Sequence, residues 1–154
     1  MTQVLIVDDG PDIRRLLRIT LGAYYALSEA KDGVGALESI RQCAPEVVLL
    51  DVVMPGEMDG LQVLQAIRNN PQTRSIQVAV VSAKGQQADS DLARLLGADA
   101  YFTKPFSPCK LRDWVRDTLR EQAHGDSWRS GSPSLAGGFA TTGGSALTST
   151  SRVS

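Results

Sequence analysis

The stretch "VVLLDVVMPGEMDG", residues 47–60, runs four apolar residues into a lone aspartate, Asp51, and then reaches Pro55-Gly56. A short apolar run bounded by turn residues is the pattern of a strand covered on both faces, as in a parallel sheet. A carboxylate delivered by such a strand is a turn residue, a metal ligand or a nucleophile. The rest of the chain decides among the three.

Similar runs recur along the sequence. "QVLIV" (Gln3–Val7) ends in Asp8-Asp9, "YYALSEA" (24–30) is a weaker second strand, Ile76–Val81 a fourth and "AYFT" (100–103) a fifth. Helical periods fill the gaps. "PDIRRLLRITLG" puts Ile13, Leu16, Leu17 and Leu21 on one face, with Pro11 suited to the first turn and Gly22 to the C-terminal cap. Val34, Leu37 and Ile40 mark a second helix, "LQVLQAIRNN" a third closed by Pro71, and Ala88–Leu96 a fourth ending at Gly97. Ser107-Pro108 opens the last, which lines up Leu111, Val115 and Leu119.

Five strands alternating with five helices predict an α/β fold, a doubly wound parallel sheet with helices on both faces. Ligands of such sheets sit at the carboxyl ends of the strands, near the topological switch point. Asp8 and Asp9 end the first strand, Asp51 the third and Ser82 the fourth, while Lys104 follows the fifth. All five polar groups are thus expected at one edge.

That convergence constrains the chemistry. Two carboxylates about 4 Å apart repel by roughly 4 kcal/mol at an effective dielectric near 20, so the cluster needs a cation. Lys104 is one candidate and a divalent metal another. An all-oxygen site with open positions suits Mg²⁺. A carboxylate beside Mg²⁺, a lysine and a hydroxyl is equipped to attack phosphorus.

Composition narrows the class. With 154 residues and 42% apolar content the chain can bury one core. Sixteen basic residues against seventeen acidic ones argue against nucleic acid or an anionic membrane as the main partner. Cys43 and Cys109 lack metal-ligand spacing and fit a reducing compartment. No signal peptide opens the chain and no apolar run approaches about 18 residues, so a cytoplasmic protein is expected. From His124 the sequence turns rich in Gly, Ser, Thr and Ala with no apolar period, and a flexible tail is expected there.

The set "VDD" at 7–9, "LLDVVMPGEMDG" at 49–60, "VVSA" at 80–83 and "GADAYFTKPF" at 97–106 resembles the receiver domain of bacterial response regulators, of the single-domain CheY-like type. The resemblance covers about residues 2–122, with the motifs in the expected order. It implies a flavodoxin-like sheet of strand order 2-1-3-4-5, a receiver domain at 1–122 and a tail at 123–154. It implies Asp51 as the phosphoacceptor, taking the phosphoryl group from a sensor histidine kinase or a histidine phosphotransfer protein. Asp8, Asp9, Asp51 and the backbone carbonyl of Val53 would hold Mg²⁺, for which Mn²⁺ can substitute. Lys104 and Ser82 would contact the phosphoryl oxygens, and Tyr101 would be an aromatic switch working with Ser82. The output would be a changed affinity for a protein target at the surface of the fourth helix, fifth strand and fifth helix, without DNA or membrane binding.

Taken singly, each residue has an ordinary explanation. Asp8-Asp9 would cap the first helix, Ser82 a strand end, and Tyr101 would be half-buried core. A dehalogenase-like phosphohydrolase would need a second aspartate where Val53 stands, and a degenerate receiver acting only as a docking module would lack one of the site groups. Two departures from the family pattern stand out. "MPGEMDG" holds one extra residue between Pro55 and Met58, and Gly10 follows the acidic pair where a side chain is common.

Overall fold

The computed structural model describes residues 2–83 and 87–128. Strands β1 (Gln3–Val7), β2 (Ala26–Ala30), β3 (Val47–Asp51), β4 (Gln77–Ser82) and β5 (Ala100–Thr103) alternate with helices α1 (Pro11–Leu21), α2 (Gly33–Cys43), α3 (Gly60–Asn69), α4 (Gln87–Leu95) and α5 (Pro108–Trp128). The strands form one parallel sheet in the order β2-β1-β3-β4-β5. The order reverses between β1 and β3, so their carboxyl ends flank the switch point.

Alternation along each strand builds two cores from one sheet. Leu5, Val7, Val48, Leu50, Val78 and Val80 face α2 and α3 through Ala36, Ile40, Val63, Leu64 and Ile67. Val4, Ile6, Val47, Leu49, Ala79 and Val81 face α1 and α5 through Leu17, Leu21, Leu111 and Val115. Each large aliphatic side chain so buried contributes about 1.5–3 kcal/mol. Trp114 on α5 packs edge-on against Phe102 of β5, ring centroids 6.4 Å apart.

Local chemistry sets the helix ends. Asp32 caps α2 by accepting from the Gly35 N–H at 2.7 Å. Asp59 and Gln62 form a reciprocal capping box at the start of α3. Two helical faces differ from those expected. Leu16 and Val34 are exposed, because the covered stripe of α1 runs Ile13–Leu17–Leu21 and that of α2 runs through Ala36 and Ile40; Leu16, one residue from Leu17, lies about 100° around the helix from its stripe, and Val34, two residues from Ala36, about 200°. Gly22 takes an ordinary right-handed φ of −65° as C-cap. Helix α5 continues to Trp128, six residues past the expected domain boundary at 122. The rest of the expected tail, residues 129–154, lies outside the described residues.

A guanidinium ties the opposite end of the sheet. Arg68 of α3 donates to the carbonyls of Ile76 and Gly97 at 2.6 and 2.9 Å and to Asp99 at 2.8 Å. Asp99 also accepts from the Val78 N–H at 2.8 Å. Burial pushes the Asp99 carboxyl up from its ordinary range, and Arg68 opposes that shift. The start of β4 and the turn before β5 are thereby fixed to α3.

The loop from Asp51 back into α3 is held by backbone contact. The Gly60 N–H donates to the Val52 carbonyl at 2.9 Å, and a Cβ on Gly60 would stand 2.0 Å from the Asp51 carbonyl oxygen. The enlarged loop turns at Gly56, whose φ of 93° favours glycine. Since backbone cannot yield as a flexible side chain would, Gly60→Ala is expected to destabilise by about 3 kcal/mol, the upper part of the overpacking range. Urea unfolding checks this, and a midpoint within error of the parent at unchanged slope would show that the approach is not tight.

Candidate functional site

The apolar strands leave their last residues at the sheet edge, and there the polar side chains meet. Asp8 and Asp51 are only 3% and 4% exposed and Ser82 is 0% exposed, the three buried polar residues among those described. Asp9 points to solvent. One carboxylate oxygen from each of Asp8, Asp9 and Asp51 falls within a 4.8 Å cluster. Lys104 reaches in from the end of β5, its Nζ 2.8 Å from Asp8 Oδ2 and 3.6 Å from Asp51 Oδ2. Its placement is set locally, since the Lys104 N–H donates to the Ser82 carbonyl at 2.8 Å.

Each carboxylate is also held by backbone. The Gly10 N–H donates to Asp8 Oδ1 at 2.8 Å and the Val53 N–H to Asp51 Oδ1 at 3.4 Å. Burial pushes the Asp51 carboxyl up from 3.8 to about 6; the neighbouring Asp8 adds to the shift, and Lys104 opposes it. Three carboxylates against one ammonium leave the cluster negative. The donors are hard oxygens, and the unbalanced charge is negative. This set fits Mg²⁺, with Asp8, Asp9 and Asp51 as the residues to hold it.

Tyr101 lies buried on β5 and hydrogen-bonds the Ser82 side chain; burial raises its pKa and the Ser82 contact opposes the rise. The ring belongs to the core on the α2–α3 side of the sheet. Val53, expected to offer its carbonyl, has an exposed side chain two residues past Asp51.

Comparison with known proteins decides what carries this geometry. The response regulator receiver domain family matches residues 4–116. The chain belongs to that family. A probable cyclic di-GMP phosphodiesterase of Vibrio cholerae is 38% identical over 123 residues, 80% of this chain and 28% of that protein. The probable transcriptional regulator ycf27 of Guillardia theta is 40% identical over 120 residues, 77% of this chain and 45% of that protein. The chain thus spans about a quarter to a half of the length of these curated relatives. Among solved structures, a putative response regulator from Chloroflexus aurantiacus superposes with TM-score 0.72 at 31% identity, over 77% of this chain and 98% of that one. Vibrio cholerae chemotaxis protein CheY4 gives 0.70 at 29% identity, over 76% and 98%.

Receiver domains are phosphoacceptor modules of two-component signalling that bind Mg²⁺ at an acidic pocket and interact with histidine kinases or phosphotransfer proteins. In this receiver the five residues expected at one edge do come together there. Two groups beside them went unread in the sequence. Arg14 of α1 donates to the Asp8 carbonyl, and Glu29 of β2 holds Arg14. Only their tertiary placement gives them meaning. An arginine in the second turn of a helix otherwise reads as a solvated face.

The raised Asp51 carboxyl makes metal-free stability depend on pH. Its folded pKa, about 6, lies above the ordinary 3.8, so between those values the folded chain binds a proton that the unfolded chain has lost. Stability conferred by that proton is present below about pH 4 and is lost as pH rises through 6, by at most about 3 kcal/mol. Asp51→Asn should remove this part of the profile and stabilise the metal-free receiver by about 2 kcal/mol at pH 7. Urea unfolding in chelator from pH 4 to 7 tests this as the difference between the two proteins. Parallel curves would contradict it.

Proposed function

We propose that this receiver accepts a phosphoryl group on Asp51 from a histidine kinase or histidine phosphotransfer protein and thereby changes its affinity for a protein target. The observation that carries the reading is a nearly buried carboxylate, Asp51, with Lys104 Nζ 3.6 Å away and a second carboxylate, Asp8, sharing that lysine. A carboxylate in this setting is desolvated and oriented, as a nucleophile requires.

In the transfer an Asp51 oxygen forms a bond to phosphorus while the phosphorus–nitrogen bond of the donor phosphohistidine breaks. The electron pair of that bond returns to the imidazole. Lys104 would follow the negative charge from Asp51 to the phosphoryl oxygens. The Ser82 hydroxyl, at the end of the next strand, would donate to one of those oxygens. Asp8 and Asp9 would hold the ion, with the Val53 carbonyl as a further ligand. Mg²⁺ or Mn²⁺, when bound, supplies the positive charge that lets a phosphoryl dianion approach a carboxylate.

Residues 129–154 are rich in Gly, Ser and Thr and show no apolar period, a composition that suits a tail rather than a second core. The receiver would then extend through α5 to Trp128, past the expected boundary at 122. Residues 1–123 carry a net charge of −2, which supports a protein target over DNA. No helix among the described residues is long and apolar enough to cross a membrane; a cytoplasmic site suits the partners proposed. The output surface is that of α4, β5 and α5, with Tyr101 linking it to Ser82.

Acetyl phosphate with Mg²⁺ should add one acid-stable, base-labile phosphoryl group to the parent. Asp51→Asn or chelation should abolish it, and mass spectrometry reads the label. Labelling that survives in Asp51→Asn would move the acceptor elsewhere, and an unlabelled, folded parent would make the chain a docking module only.

Lys104→Ala should leave some labelling, and Tyr101→Ala should leave it within about twofold of the parent. Both should weaken the phosphorylation-dependent change in affinity for a partner recovered by pull-down, measured by calorimetry. A full affinity change in Tyr101→Ala would reduce Tyr101 to core.

A further inference from the structure

Four contacts hold the main chain and side chain of Asp8. Its N–H donates to the Ala30 carbonyl at 3.0 Å, Oδ1 accepts from the Gly10 N–H at 2.8 Å, and Oδ2 accepts from Lys104 at 2.8 Å. The fourth is different in kind, because it comes from a side chain with no other business at the site. Arg14 donates from one terminal nitrogen to the Asp8 carbonyl at 2.8 Å.

That arginine is itself fixed. Its Nε donates to Glu29 Oε1 at 3.1 Å, and the other oxygen of Glu29 accepts from Arg18, one turn further along α1. The pairing side chains of Arg14 and Glu29 are only 20% and 26% exposed. Glu29 lies on β2 opposite Ile6 of β1, so the bridge spans α1, β2 and the end of β1. A planar guanidinium satisfied on two edges is a rigid strut, unlike a lysine, which is a single flexible point charge.

The carbonyl that Arg14 grips belongs to the peptide joining Asp8 to Asp9. Rotation of that peptide would carry the exposed Asp9 away from the other two carboxylates while leaving Asp8 anchored through its other contacts. From this geometry we infer that Arg14 is a positioning residue: held by Glu29, it fixes the Asp8–Asp9 peptide so that both carboxylates and Asp51 converge on one cation. The inference rests on the proposed reading of Asp8, Asp9 and Asp51 as the Mg²⁺ site.

Simple electrostatics predicts the opposite sign. Removing a positive charge beside a cation site should tighten metal binding, whereas loss of a positioning strut should loosen it. The experiment is calorimetric titration of Mg²⁺ into the parent, Arg14→Gln and Arg14→Lys at fixed ionic strength, with circular dichroism and thermal midpoints as a check on folding. Arg14→Gln should weaken Mg²⁺ binding by about tenfold, the low end of the effect of outer-shell partners on metal sites. Arg14→Lys keeps the charge but cannot bridge the Asp8 carbonyl and Glu29 together, and should weaken binding about threefold to fivefold. At saturating Mg²⁺, labelling by acetyl phosphate should return to within about twofold of the parent in both variants.

A tighter or unchanged Mg²⁺ affinity in folded Arg14→Lys overturns the inference, whatever happens to the thermal midpoint. If Arg14→Gln does not fold, the lysine variant alone decides. A parent that binds no Mg²⁺ overturns the reading of the acidic cluster itself, and this inference with it.

Discussion

Asp8 and Asp51 compete for one ammonium, and the molecule is built around that competition. Lys104 stands 2.8 Å from the first and 3.6 Å from the second. At an effective dielectric near 20 each attraction is worth about 4–6 kcal/mol, and the repulsion between the carboxylates offsets one of them. Both carboxylates have also left water, which costs several kcal/mol per ion even after relaxation. Burial, with the neighbouring Asp8 adding to it, shows in Asp51, pushed up to about 6. A softer scaffold would relieve it by letting one carboxylate swing into solvent. What keeps the groups together is therefore stiffness, and the fold has to supply it.

Stiffness comes from below and from the side. Strands β1 and β3, which carry the two carboxylates, pair directly and are fully buried from Val4 to Val7 and from Val47 to Leu50. Neither strand has a solvated face along which it could slide or bow. From the side, the loop after Asp51 returns to α3 with Gly60 against the Asp51 carbonyl, too close for any side chain. The extra residue of this chain falls between Pro55 and Met58, inside that loop but away from the Gly60 contact. Glycine at 56 takes up the left-handed turn, so the longer rim closes back on α3 beside Asp51.

How much of this was legible depended on range. The sheet was readable because its strands are nearly pure apolar runs ending in charge, a signal carried within five residues; β1 and β5 have the expected bounds. The weaker Tyr24–Ala30 run shrank to Ala26–Ala30, since Tyr24 remains in water. Helical faces were read less well. Leu16 and Val34 fit a helical spacing, but which hundred degrees of a helix meets the sheet is settled by packing rather than by the helix's own sequence. The candidate site residues were legible from their positions at strand ends. Arg14, Glu29 and the Arg68–Asp99 pair were not, because their partners are backbone carbonyls and side chains distant along the chain or unmarked by any motif. Asp32 is a cap by a signal local to the sequence, an aspartate immediately before the helix at Gly33.

In the proposed reading, the hydrogen bond between Ser82 and Tyr101 would couple the site to the far surface. Tyr101 pairs in register with Val80, two residues before Ser82, and the two hydroxyls meet across that diagonal. A serine hydroxyl has one proton to donate. If Ser82 gives it to a phosphoryl oxygen, it can meet Tyr101 only as an acceptor, and Tyr101 must then donate. The contact survives, but its direction is fixed by charge at Asp51, and a hydrogen bond that ends on an anion is stronger than one between neutral groups. Phosphorylation in this scheme need not pull the ring inward, since it is already buried. It makes the inward position harder to leave. A ligand shifts an equilibrium only by its differential contacts with the two states, and here the difference is one polarised chain of two hydroxyls, enough for a coupling of about 1–3 kcal/mol. Signalling by such a device would narrow the distribution of the ring between its positions, and a target at α4, β5 and α5 would read that distribution.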